Sequence, residues 1–145
     1  PGPGLAYNSD GWDGYAADRA RVLRFLQARR PANPIVVGGD MHSFWVNDLK
    51  LDNHRPGAPV LASEFVGTSI SSSGPLYEQY RAYLPDNPHV RFFESRWRGY
   101  LRCVAEPRRW RTDLRVVDTV QRPGAPVRTL ASFVVQDGRA GPQGA

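Results

Sequence analysis

Two short stretches of this chain gather residue types that perform acid–base or metal chemistry. In PIVVGGDMHSFWVNDL, Pro34 to Leu49, a β-branched run climbs into Gly38 and Gly39 and then presents Asp40 and His42. On an extended backbone, positions two apart face the same side. The carboxylate and the imidazole would then form a pair of metal ligands, the oxygen suited to calcium, magnesium or iron and the nitrogen to iron, zinc or manganese. The glycines clear side chains from the strand end, which lets the backbone turn and leaves space for a ligand. A plainer role fits the same spacing, with Asp40 capping the next turn and His42 making a core hydrogen bond. Upstream, SDGWDGY, Ser9 to Tyr15, packs Asp10, Trp12, Asp13 and Tyr15 into one glycine-bearing loop. These residues suit a ligand loop, or a helix start with Asp13 as N-cap and the aromatics packed behind it.

Positioning these groups requires a layered scaffold. Tyr15, Val22, Leu23, Phe25 and Leu26 recur at helical period among charged residues, which predicts an amphipathic helix from Ala16 to Arg30 that stops at Pro31. Ile35 to Val37 is continuously apolar, as in a strand buried on both faces. One helix crossover links the two stretches, so both can lie on the edge of a sheet where α/β folds place their chemistry. Phe44 to Leu49 reads as a strand or a turn of helix, Val60 to Phe65 as a strand, and Leu76 to Tyr83 as a short helix. The remainder is β in character: Val90 to Glu94, Tyr100 to Glu106, Leu114 to Val120 and Val127 to Gln136, with RPGAP linking the last two and DGRAGPQGA as a frayed tail. The class is α/β (α+β).

Composition narrows the function classes. A chain of 145 residues with 41% hydrophobic content is a single globular domain at most. Its net charge of +5 comes from arginine, since Lys50 is the sole lysine. The arginines are dispersed among acids and aromatics, which argues against nucleic-acid binding. Cys103 is the only cysteine and reads as core packing, so no intrachain disulfide forms. His54 and His89 sit in loop-like surroundings and read as surface histidines. No transmembrane run or signal peptide is visible, and the start at PGPGLAY without methionine reads as a piece of something longer.

The order SDGWDGY, an arginine-rich helix (ADRARVLRFL), a buried strand, GDMHSFWVNDL and then EFVGTSISSSG resembles the C-terminal half of the PhoD-like alkaline phosphatases, within the metallophosphoesterase superfamily. The closing strands from FFESRWRGY onward are similar too, so the resemblance runs over residues 10–138, with 1–9 and 139–145 as loop or frayed ends. It implies a fragment of a four-layer sandwich, two mixed β-sheets flanked by helices, with metals held in loops at one edge. It also implies hydrolysis of phosphomonoesters or phosphodiesters by a metal-activated water, with iron and calcium as cofactors. Asp40 and His42 match the GD-x-H metal motif, His42 suited to iron and Asp40 to calcium. Asp10 and Asp13 match family acids in metal or substrate contact. Asp13 or Tyr15 is a candidate proton donor to the leaving oxygen, Arg98 a candidate phosphate clamp, and Glu64 with Thr68 to Ser73 a candidate pocket wall. A solvated surface arginine and an ordinary turn are the plainer readings of the last two.

The family's N-terminal half supplies a cysteine, an aspartate, a tyrosine and an asparagine or acidic cluster, and no such segment is present here. The chain is therefore expected to hold part of a metal site, with the missing half of the domain as its partner and a phosphate ester as substrate. The alternative is a catalytically incomplete fragment whose open sheet edges make it a binding or oligomerising module. Export to a secreted, periplasmic or cell-surface location is the family expectation.

Overall fold

A computed structural model describes residues 10–145. The reading of residues 1–9 as a loop or chain end lies outside them. In chain order the elements are α1 (Ala16–Arg29), β1 (Ile35–Gly38), β2 (Phe44–Leu49), β3 (Ala62–Val66), α2 (Tyr77–Arg81), a 3-10 turn at Leu84–Asp86, β4 (Val90–Glu94), β5 (Arg98–Glu106), β6 (Arg109–Val117), β7 (Val127–Gln136) and β8 (Gln143–Gly144). They form a mixed sheet ordered β1-β3-β2-β4, with β1 and β3 parallel, and an antiparallel sheet ordered β5-β6-β7-β8.

The sheets pack face to face. Phe44, Val46 and Phe65 from the first meet Leu114, Val116, Phe133 and Val135 from the second. Burial along β2 alternates residue by residue, as the strand period requires. Each such side chain contributes roughly 1.5–3 kcal/mol on leaving water. Trp45 and Phe93 point to the other face of the first sheet, where Tyr77 and Tyr80 of α2 close on Phe93 at 5.6 and 6.0 Å. The chain then passes from β4 to β5, and so from one sheet to the other, through the short corner Ser95–Trp97.

Several expectations are corrected. Asp13 does not cap α1: the N-cap is Tyr15 with no side-chain cap bond, and two consecutive turns lead into the helix (Gly14 N to Gly11 O, Tyr15 N to Trp12 O). The helix ends one residue earlier than predicted, at left-handed Arg30 (φ 48°), whose N–H donates to Leu26 O. Of its apolar stripe, Leu23 is buried but Val22 and Phe25 are 46% and 59% exposed. β1 is not covered on both faces. It lies at the sheet edge with β3 as its one partner among the described residues, and Val37 is 54% exposed.

Cys103 is exposed rather than in the core, because β5 is an edge strand whose second half lies open to solvent. His54 is exposed, but His89 is half-buried with an unpartnered Nδ1, and burial lowers its pKa, with the Arg19 charge adding to the effect. β6 starts earlier than expected, since Pro107 and Arg108 make a tight hairpin that pairs Glu106 with Arg109. The tail is not frayed throughout: β8 pairs with β7, and Gly141 (φ 85°) turns against buried Asp48, where a Cβ would lie 2.9 Å from Oδ1. No helix among the described residues is long and apolar enough to cross a membrane.

Candidate functional site

Because β1 and β3 are parallel, their C-terminal ends reach the same sheet edge, and Gly67 N–H donates to Gly38 O at 2.9 Å. Two loops leave that edge side by side, Gly39–Ser43 and Thr68–Gly74. The first is not extended. Asp40 has φ 70° and His42 φ 52°, and Met41 N–H donates to Gly39 O at 2.9 Å, which makes Asp40 the centre of a γ-turn. Strand alternation therefore does not put Asp40 and His42 on one side, contrary to the expectation for an extended backbone. A strained turn presents them instead, at a cost of about 1–3 kcal/mol for each residue so held. Buried Ser43 pins the turn from below, its Oγ donating to Met41 O and accepting from Trp45 Nε1, both at 2.9 Å.

His42 Nδ1 lies 2.9 Å from the Ser73 carbonyl oxygen. A carbonyl only accepts, so Nδ1 is the donor, and in the neutral ring Nε2 keeps its lone pair. Ligating histidines are held in this way, with the second ring nitrogen donating to a carbonyl or carboxylate. Asp40, two residues away, is exposed. An imidazole held through Nδ1 in this way, two residues from an exposed carboxylate, fits part of a metal site.

The second loop is fastened on several sides. Thr68 Oγ1 donates to Trp97 O at 3.1 Å, Gly99 N–H to Ser69 O at 3.1 Å, and Ser69 Oγ to Ser72 O at 2.5 Å. Arg98 donates to Ser69 Oγ at 3.0 Å, to Ser72 O at 2.5 Å and also to Ser95 O. Burial lowers the pKa of Arg98, while the Glu94 charge pulls the other way. Gly74 closes the loop where no side chain fits, since a Cβ would lie 2.5 Å from His42 O and 2.7 Å from Ser95 O.

The remaining sequence candidates lie elsewhere. Asp10, Asp13 and Tyr15 are exposed in the turns before α1. Asp10, Trp12, Tyr15 and Asp18 line a shallow cavity of about 420 Å³ that neither Asp40 nor His42 borders. Among the described residues no three His, Cys, Asp or Glu side chains come together, so the acids of that loop do not complete a ligand set with Asp40 and His42. Glu64 sits in mid-strand on β3, where its Oε2 accepts from Asn47 Nδ2 at 2.7 Å. The sequence reading missed Ser69, Ser73 and Gly74 as individual positions. The Ser-rich run ending in Gly74–Pro75 was their signal, since a glycine there marks a close backbone approach.

The sequence and the fold of this chain match known proteins. The family model described as "PhoD-like phosphatase" matches residues 2–114. Alkaline phosphatase D of Bacillus subtilis (strain 168) is 41% identical across 93% of this chain, which spans 24% of that protein's length. A solved structure described as "Structure of PhoD" superposes with a TM-score of 0.82 at 35% identity, covering 96% of this chain and 27% of that one. The chain thus spans about a quarter of the proteins it matches. With the family model over most of its length, and a sequence and fold that agree along nearly all of it, the chain belongs to the PhoD-like phosphatase family.

Proposed function

We propose that this chain is part of a metal-dependent phosphoric ester hydrolase of the alkaline phosphatase D type, acting on phosphomonoesters or phosphodiesters. The observation that carries the reading is the contact of His42 Nδ1 with Ser73 O on the edge where the parallel strands end, in a chain of this family. His42 Nε2 and the Asp40 carboxylate are the donors this chain offers, the imidazole to iron and the carboxylate to calcium. A cation held by these two residues would supply positive charge that stabilises the phosphoryl group in the transition state. The further ligands come from the part of the domain outside this chain. Asp10 and Asp13 belong to a loop that meets metal or substrate once that part is in place, and Asp13 or Tyr15 then stands available to protonate the leaving oxygen. The Thr68–Ser73 loop lies beside the site, while Glu64 stays in mid-strand with Asn47. Export from the cytoplasm fits the family.

The test uses the full-length protein. Metal content and hydrolysis of an aryl phosphate are measured for wild type, Asp40→Ala and His42→Ala. Loss of metal and of turnover in both variants is the expected result. Retention of full activity by the double variant would sink the assignment.

A second reading concerns the chain by itself. The open edge of β1, the exposed Val37 and the exposed Val22 and Phe25 of α1 favour a chain that is incomplete alone and associates through these surfaces.

A further inference from the structure

We propose that Arg98 is a positioning residue for His42: it fastens the Thr68–Gly74 loop so that the Ser73 carbonyl holds the imidazole with Nδ1 protonated and Nε2 as the electron-pair donor. The inference rests on the reading of His42 as a metal ligand and adds how that ligand is held.

The start of the loop is tied by Thr68 Oγ1 to Trp97 O and by Ser69 O to Gly99 N–H. Its far side, next to Ser73, is held at Ser72 O, which accepts from Ser69 Oγ and from Arg98, both at 2.5 Å, and Arg98 also donates to that same Ser69 Oγ at 3.0 Å. The same guanidinium bonds Ser95 O at the corner between the sheets, so it bridges the loop to a buried residue of that corner. Ser73 follows Ser72 directly, and any shift of the Ser72 carbonyl shifts the acceptor of His42. Gly74 leaves no slack, because the nearest atoms to its absent side chain are His42 O, Ser95 O and an Arg98 nitrogen at 2.8 Å. Both terminal nitrogens of Arg98 donate to loop and corner oxygens, which suits a residue that fastens the loop.

The experiment compares full-length wild type with Arg98→Gln, Arg98→Lys, Ser69→Ala, His42→Ala and the surface control Arg21→Gln. Ring-nitrogen NMR at alkaline pH reads the His42 tautomer, and anaerobic titration of the metal-free protein reads affinity for iron(II). Arg98→Gln is expected to mix the two tautomers and to raise the iron(II) Kd by about tenfold or more, the usual effect of losing an outer-shell contact. Ser69→Ala, which keeps the arginine but removes both its Oγ acceptor and the Oγ donor to Ser72 O, should shift both readouts the same way. Arg98→Lys, which keeps the charge but not the fork, should shift them by less, and it decides the matter if Arg98→Gln does not fold. Arg21→Gln should change neither. An unaltered tautomer and Kd in the Arg98 and Ser69 variants would overturn the proposal, as would a raised KM for an aryl phosphate with those readouts unchanged. If His42→Ala binds iron(II) like wild type, the metal reading fails on its own, and the tautomer spectrum still judges Arg98.

Discussion

Asp40 and His42 both adopt a left-handed backbone that non-glycine residues rarely take. Their residue types at the end of a glycine-flanked strand were legible in the sequence. The γ-turn was not, because alternation rules assume an extended chain. The strain separates stability from activity. Asp40→Ala keeps a Cβ at φ 70° and loses the short polar side chain that tolerates this region, so it should destabilise the protein by about 1 kcal/mol. Asp40→Gly relieves the strain and should leave the denaturation midpoint near wild type. Both should lose metal and turnover to a similar extent, a pairing that denaturant titration alongside metal analysis will read. His42→Ala should lower kcat/KM by roughly a thousandfold, matching several kcal/mol of lost charge stabilisation in the transition state.

At the scale of elements, strand existence followed from β-branched and aromatic runs, and α1 followed from its period. Exposure did not follow, because it depends on which neighbours cover a face. Long-range ties such as Arg98 to Ser72 leave no local pattern at all. The second sheet carries two tests. Gly99 lies so close to β6 that a Cβ would sit 1.9 Å from Arg115 O. Gly99→Ala should cost about 3 kcal/mol or more and show as a lower denaturant midpoint. Asp113 is buried on the face away from the core, beneath Arg102 and Arg111. Burial alone would raise its pKa, but hydrogen bonds from Ser132, Arg111 and Arg102 outweigh it and pull the value from 3.8 down to about 2. A folded pKa below the unfolded one contributes stability above the unfolded value, lost as pH falls. Stability should therefore decline between about pH 4 and pH 2, a slope that Asp113→Asn should flatten in thermal melts across that window.

For the whole molecule, the relevant fact is that this chain spans 24% of its curated relative and 27% of the solved structure it matches. The sheet edge at β1 and the apolar side of α1 look outward, where a complete domain would have further layers. Expressed alone, residues 1–145 should self-associate, and light scattering should show a mass above the monomer. Val37→Lys, which puts a charge on the open edge strand, should reduce that association. The corner at Ser95–Trp97 has a kinetic consequence. Arg98 is the first residue of β5, so the loop that steadies His42 is anchored in the second sheet while His42 itself belongs to the first. Transient opening of β5 would slacken the histidine without unfolding the strands that bear it. Amide exchange at Gly99, whose N–H is bonded to Ser69 O, should then track the pace at which a chelator strips the proposed centre, which would make metal release a clock for the breathing of the far sheet.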